Sequence, residues 1–251
     1  MELLYKYLPL NRLGIEGNGF LPDFKLSFSN VATFNDPSEC NIKYEWNEDN
    51  PNDLSLFSND FSQCPKRSKS VSMHDVFKAE RDAYFKNYGI LSLSRNPISS
   101  LMWSHYASGH TGFVIGFDST YFKSKYKSFR SDGKYDVIYS DREPIIPSLN
   151  YKLPVGVLYW KDKIWSYEEE VRFIKRKSSI EKIPARFVTQ IIFGYNMPIH
   201  SCIAVMLNLK NYTHIRFRKS YYVNLGSGTV ELCETFIVHD GKQLKLGLAD
   251  K

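Results

Sequence analysis

The chain has 251 residues, of which 43% are hydrophobic and 15% aromatic, enough to bury a sizeable core and to exclude a disordered class. Thirty-three Lys and Arg against 27 Asp and Glu leave a net charge of +6, which favours a polyanionic partner without specifying one. No apolar run reaches membrane-spanning length, the N-terminal MELLYKYLPLNRLG lacks a signal-peptide core, and the four scattered cysteines (Cys40, Cys64, Cys202, Cys233) show no CxxC or zinc spacing. A cytoplasmic protein with reduced thiols is therefore expected, with no membrane partner.

In chain order, LLYKY (3–7) and FKLSFSN (24–30) read as short strands by aromatic content and alternation. FNDPSE (34–39) reads as a turn, in which Asn35 and Asp36 bond locally and the following proline fixes φ. Residues 45–70 are polar and read as a long loop or insertion within a single domain spanning 1–251. A helix follows, capped by Ser72, with Met73, Val76, Phe77, Glu80, Tyr84 and Tyr88 at helical spacing until Gly89. GILSLSRN (89–96) reads as a strand, and 96–109 as a short helix capped by Asn96, with Pro97 first and Gly109 at its end. Strands are expected at 112–118, 136–141, 155–160, 189–196, 213–223 and 229–239, and an amphipathic helix at 198–211. Many strands, few helices and no regular βαβ alternation predict an α+β fold.

Several chemistries are excluded by motif: there is no GxxxxGK[ST], GxGxxG, GxSxG or HExxH, and the six histidines show no ligand spacing, so no metal site is expected. The informative stretch is IWSYEEEVRFIKR (164–176). If 169–175 is extended, Glu169, Val171 and Phe173 point to the core, while Glu168, Glu170, Arg172 and Ile174 point the other way. Two carboxylates about 7 Å apart on one face repel unless a cation lies between them, and Arg172 supplies only one. The pair reads either as a solvated edge with a local ion pair or as carboxylates set for a positively charged transition state.

The segments LYKY, FNDP, GILSLSRNP…LMWSHYASGHTGFVIGFD, VIYSD, WSYEEEVRFIK and QIIFGYNM, in this order, resemble the prokaryotic domain-of-unknown-function family 2971 over roughly residues 3 to 197. That family in turn resembles the ADP-ribosyltransferase superfamily, which implies a split β-sheet core with a few flanking helices and NAD as substrate. The resemblance implies a nicotinamide-cleaving site made of Tyr5, Lys6 and Tyr7, of Ser92 and Ser94 or Trp103, Ser104, His105 and Tyr106, and of Glu168 and Glu170 with Arg172 beside them. The first element departs from the superfamily's usual Arg or His. Glu170 is expected to stabilise the oxocarbenium-like ribose, Glu168 to orient or deprotonate the acceptor, and Glu169 to serve as a control. Tyr5 and Tyr7 share one strand face and Lys6 the other, so only one set is expected to line the cleft.

The activity so implied is an NAD-dependent ADP-ribosyltransferase, or an NAD glycohydrolase, acting as a toxin or phage-defence effector alongside an antitoxin or other defence component. Its macromolecular acceptor is read as nucleic acid. Arg216 and Arg218 in RFRKSYY, and Lys175, Arg176 and Lys177 in KRK, interleave cations with aromatics or follow the strand of Glu170. The alternatives are a metal-dependent nuclease using Asp162 with Glu170-Val-Arg172, in which arginine is a poor base, and a non-catalytic sensor binding a nucleotide or nucleic acid.

Overall fold

The alternating segments build fourteen strands among the residues described by a computed structural model: 1–14, 20, 21, 23–34, 36, 39, 40, 43–45, 79, 81–147, 155–223, 229–239 and 244–248. Residues 43–45, 145–147, 222, 223, 229–239 and 244–248 are described by their backbone. The N-terminal half contributes β1 (Leu3–Leu8), β2 (Lys25–Phe28), β3 (Lys43–Glu45), β4 (Tyr88–Ser94), β5 (Phe113–Asp118), β6 (Ile138–Ser140) and β7 (Ile145–Pro147). Then come β8 (Trp160–Asp162), β9 (Glu170–Arg176), β10 (Ser179–Lys182), β11 (Val188–Phe193), β12 (Arg216–Val223), β13 (Thr229–His239) and β14 (Leu244–Leu248).

Eight of them form one sheet in the order β14-β13-β12-β11-β5-β1-β4-β9, antiparallel except for the parallel β11–β12 pair. With few helices beside it, this is an α+β arrangement. β5 and β11 lie at its centre, and their consecutive apolar residues are buried on both faces. One face packs Leu4, Leu8, Leu91, Leu93, Val171 and Phe173 under α2 (Ser119–Lys125) and α3 (Ile199–Asn208). Phe122 of α2 stacks on Phe173 at 5.1 Å, a contact worth about 0.5–1.5 kcal/mol beyond its buried area. The opposite face carries Tyr7, Val114 and Ile192 beneath α1 (Ser100–Tyr106), and a further cluster of Tyr88, Ile90 and Ile174 beneath Leu158 and Tyr159.

β1 and β4 meet at one residue pair, Tyr5 opposite Ser94, whereas β1 pairs with β5 along its whole length. The sheet thus opens between β1 and β4. Backbone groups of the 135–139 segment cover the free edge of β9, with Arg172 N–H donating to Tyr135 O (2.8 Å) and Val137 N–H to Glu170 O (2.9 Å).

Some boundaries differ from expectation. Ser99, not Asn96, caps α1 by accepting from Met102 N–H, while Asn96 Oδ1 accepts from Ile98 N–H in the preceding turn. Tyr88 starts β4, and the helix before it is described at 79 and 81–85; Ser72, Met73, Val76, Phe77 and Glu80 lie outside the described residues, as do Asn35 and the 46–70 loop. Residues 155–159, expected to be extended, wind into a 3-10 turn ahead of β8. Val157, Leu158 and Tyr159 of this turn are all buried in the cluster with Tyr88, Ile90 and Ile174. Cys40 and Cys202 are buried free thiols. No described helix is long and apolar enough to cross a membrane.

Candidate active site at the opened sheet edge

The outer face of β4 and β9 changes character along its length. Ile90 lies opposite Ile174 in an apolar cluster, then Ser92 opposite Arg172, then Ser94 opposite Glu170. Where the polar pairs begin, a cavity of about 210 Å³ opens, lined by Tyr5, Lys6, Tyr7, Ser92, Ser94, Tyr106, Lys161, Glu168 and Glu170, with Glu39 at its base. The structure therefore brings together eight of the residues read from the sequence and adds Lys161 and Glu39.

Glu168 and Glu170 face the same space by an irregular route. Glu168 ends a 3-10 turn (Lys163–Glu168), Glu169 adopts a left-handed conformation (φ 44°), and Glu170 starts β9. Glu169 is exposed and accepts from Asn96 Nδ2 at 3.0 Å, so it points away from the core instead of into it. A continuous strand would have sent it inward; the left-handed residue bends the chain and turns it out.

Lys161 of β8 is the missing cation. Its ammonium lies 2.5 Å from Glu168, 3.3 Å from Glu170 and 3.6 Å from Glu39, and 5.1 Å above the Trp165 ring. Arg172, fully buried, grips Glu170 side-on through Nε (2.8 Å) and Nη2 (2.9 Å), pairs with Glu39, and donates to Leu158 O at 2.6 Å. It stands behind the cavity and not in its lining.

The two glutamates titrate in opposite directions. Burial raises Glu168, and the nearby Glu170 charge adds to that, although Lys161 and a 2.6 Å bond from the Tyr106 hydroxyl oppose it. Burial would also raise Glu170, but the Arg172 and Lys161 charges outweigh it and hold this carboxyl well below the usual range. Burial pushes the Tyr106 phenol far up, assisted by the Glu168 charge.

Lys6 departs from the expected exclusion. Alternation places it on the Leu4 and Leu8 side of β1, yet its ammonium donates to Ser92 O at 2.9 Å. The carbonyl is free because β4 has parted from β1 there, so Lys6 reaches through the opening and both sets line the cavity. Burial lowers its pKa, with Glu170 and Glu168 opposing.

Other expected residues lie elsewhere. Trp103 is fully buried against Tyr7 and His110, with Nε1 donating to Pro97 O. Ser104 is exposed and donates to Ser100 O. His105 is exposed outside the cavity, with Nδ1 3.1 Å from the Tyr167 hydroxyl. Helical winding of α1 turns Met102 and Tyr106 to the cavity and these three away from it. Lys175 is paired with Glu181 and donates to the Ser179 hydroxyl. Arg176 and Lys177 are exposed at and just past the far end of β9, Arg176 about 20 Å along the strand from Glu170 at 3.3 Å per residue. Arg216 and Arg218 lie on the same face as the cavity, since Arg216, Gln190, Gly116, Tyr5, Ser94 and Glu170 are successive partners across the sheet. They are five strands from β9, roughly 24 Å at 4.8 Å per strand. Asp162 caps the 3-10 turn by accepting from Ile164 N–H, and the Lys161 ammonium occupies the space among the glutamates, so the nuclease pair is not assembled.

An α+β protein with a charge-clamped carboxylate cavity at a sheet opening is thus defined. Residues 102–173 match the family described as Protein of unknown function (DUF2971), a segment running from α1 to β9 that contains Tyr106, Lys161, Glu168, Glu170 and Arg172 but neither β1 nor β4. No curated protein and no solved structure matches the chain.

Proposed function

We propose that the cavity takes the nicotinamide–ribose end of NAD and cleaves the bond between them, passing ADP-ribose to a macromolecule or to water. The observation that carries this reading is the placement of Glu168 and Glu170, two residues apart over one cavity, with Glu170 clamped by Arg172 and Lys161 and Glu168 held by Lys161 and the Tyr106 hydroxyl, surroundings that set a permanent charge apart from a proton carrier. Nicotinamide leaves with the bonding pair, and positive charge develops on the ribose. Glu170, kept ionised by Arg172 and Lys161 and bonded also by the Ser92 hydroxyl, stabilises that charge from the cavity wall. Glu168 takes the proton from the attacking nucleophile. A cavity of about 210 Å³ seats one end of a dinucleotide and leaves the rest outside. Tyr5, Tyr7 and Tyr106 offer it rings and hydroxyls, and Ser92 and Ser94 line the wall between β1 and β9.

The parting of β1 and β4 supports the resemblance to a split ADP-ribosyltransferase sheet. Arg216 and Arg218 on the same face favour an extended, polyanionic acceptor. A second reading, a non-catalytic nucleotide sensor, is favoured by the double grip of Arg172 on Glu170, which consumes much of that carboxylate's capacity.

Incubation of the purified protein with NAD, following nicotinamide release and mass added to acceptors, separates them. Glu170→Gln is expected to lower release by about a hundredfold or more, as for loss of one preorganised group, while Glu169→Gln stays near wild type. NAD binding without release leaves the sensor, and equal activity of the two variants removes Glu170 from the mechanism.

A further inference from the structure

A second cavity, of about 180 Å³, lies on the opposite side of β1, where Leu8 lines it in place of Tyr5 and Tyr7. Its polar lining is cationic: Lys6, Arg12 and Lys25, with the hydroxyls of Ser27 and Ser29, and no carboxylate among the described lining residues. The Arg12 side chain is exposed and has no hydrogen-bond or ion-pair partner among the described residues, while its backbone N–H donates to Pro9 O and its carbonyl accepts from Phe20 N–H. Lys25 is paired with Asp23 at 3.0 Å, but Asp23 stands outside the lining and is also held by Lys182 at 2.9 Å. Lys6 is the hinge of the arrangement. With Ser29 it lines both cavities, and it passes through the gap between β1 and β4 to Ser92 O.

Three cations line this otherwise apolar hollow, with the Asp23 carboxylate beside Lys25, and the positive charge left over favours an anion between them and the two hydroxyls. A singly charged carboxylate leaves part of that charge uncompensated, whereas a phosphate dianion has enough charge and oxygens to engage all three cations and both hydroxyls. We infer that this cavity is a binding subsite for a phosphate group, free or as a phosphomonoester, and that Lys6 links it to the carboxylate cavity. The groups facing Lys6 are Arg12 and Lys25 on the phosphate side, and Glu170, Glu168 and Lys161 on the other. Burial, with Arg12 and Lys161, disfavours the Lys6 ammonium, and the two glutamates favour it. A bound dianion adds to the favouring side, so phosphate binding draws a proton onto Lys6. The subsite stands without the NAD reading, because binding and proton uptake are measured on the protein with no NAD present.

Isothermal titration with inorganic phosphate and with ribose 5-phosphate, against acetate at equal ionic strength, tests it. Saturable binding of a phosphate but not of acetate is expected, weakened about tenfold or more in Arg12→Gln and in Lys25→Gln, each of which loses one charge-assisted contact. Both variants are at exposed or half-exposed side chains and leave the core intact. Tighter binding of ribose 5-phosphate than of phosphate marks the ligand as a phosphomonoester, and the reverse marks it as the free anion. Repeating the titration in buffers of different ionisation enthalpy is expected to report proton uptake at alkaline pH that Lys6→Met abolishes. Phosphate binding no better than acetate, or unchanged in both glutamine variants, overturns the subsite; uptake that persists in Lys6→Met overturns the link.

Discussion

Lys161→Met removes the ammonium that ties Glu168, Glu170 and Glu39 together at 2.5, 3.3 and 3.6 Å. Methionine replaces much of the aliphatic stem, so the main loss is charge and not packing. Three buried carboxylates, now met by two cations, are then met by Arg172 alone in this cluster. Removing one partner of a buried pair costs about 3–5 kcal/mol. At about 2–4 °C per kcal/mol for a chain of this size, Tm falls by roughly 6–20 °C at alkaline pH. Glu168 relieves part of the cost by taking up a proton, since burial already raises it and Lys161 no longer opposes that shift. A carboxyl raised in the fold destabilises as pH climbs above the unfolded value of about 4.3, and fully above its folded pKa. The gap from wild type is therefore widest near pH 8 and narrows towards pH 5. Melting curves by circular dichroism across that range provide the check. A Tm within about 2 °C of wild type at pH 8, against the loss expected from the buried clamp, refutes the charge-clamp account, as does a gap that grows on acidification.

Tyr106→Phe deletes the hydroxyl that donates to Glu168 Oε1 at 2.6 Å, and a carboxylate without that donor is harder to ionise. The acid limb of the pH profile for nicotinamide release should move up by about one pH unit, and an unmoved limb excludes Glu168 as the titrating base. Gly116→Ala places a Cβ 2.7 Å from Gln190 Cγ and 3.2 Å from Tyr5 Cε1, where those side chains cross the strand to meet at 3.2 Å. Urea unfolding is expected to register a loss of about 1–3 kcal/mol, and no measurable loss would mean that the crossing is loose. Arg216→Glu with Arg218→Glu should weaken single-stranded DNA and RNA binding at all sequences alike, and wild-type affinity should fall steeply with salt. Salt-insensitive anisotropy titrations remove nucleic acid as the acceptor.

The two faces of β9 are legible in the alternation of Val171 and Phe173 with Glu170 and Arg172, because a strand's period of two is local information. So is the need for a second cation, which follows from two like charges on one face. Which residue supplies it is not legible. Lys161 reads as a polar residue closing the apolar run VGVLYW, and Glu39 as the tail of a turn; Lys161 reaches Glu170, and Glu39 reaches Lys161 and Arg172, because β8 and the 39–40 turn fold over β9. Lys6 is misplaced by alternation for a related reason. Its face is given correctly by its neighbours Leu4 and Leu8, but the parting of two strands distant in sequence decides where its ammonium can go.

The cost of this cluster bears on what it is for. A buried ion network is seldom the most stable filling of a core, since apolar residues of similar volume often serve as well or better. Arg172 pairs with Glu170 through two hydrogen bonds from a position outside the lining of this cavity. Lys161 and Glu168 add a further cation and carboxylate where the lining begins, and the tyrosine hydroxyl of Tyr106 is spent on holding Glu168 in place. Stability gives no reason for that second layer. It is accounted for if something enters the cavity on which one carboxylate must act as a fixed charge and the other as a proton carrier, and the two layers then divide the labour. Arg172 sets the charge of Glu170 from behind, while Lys161 and Tyr106 set the protonation of Glu168 from the front.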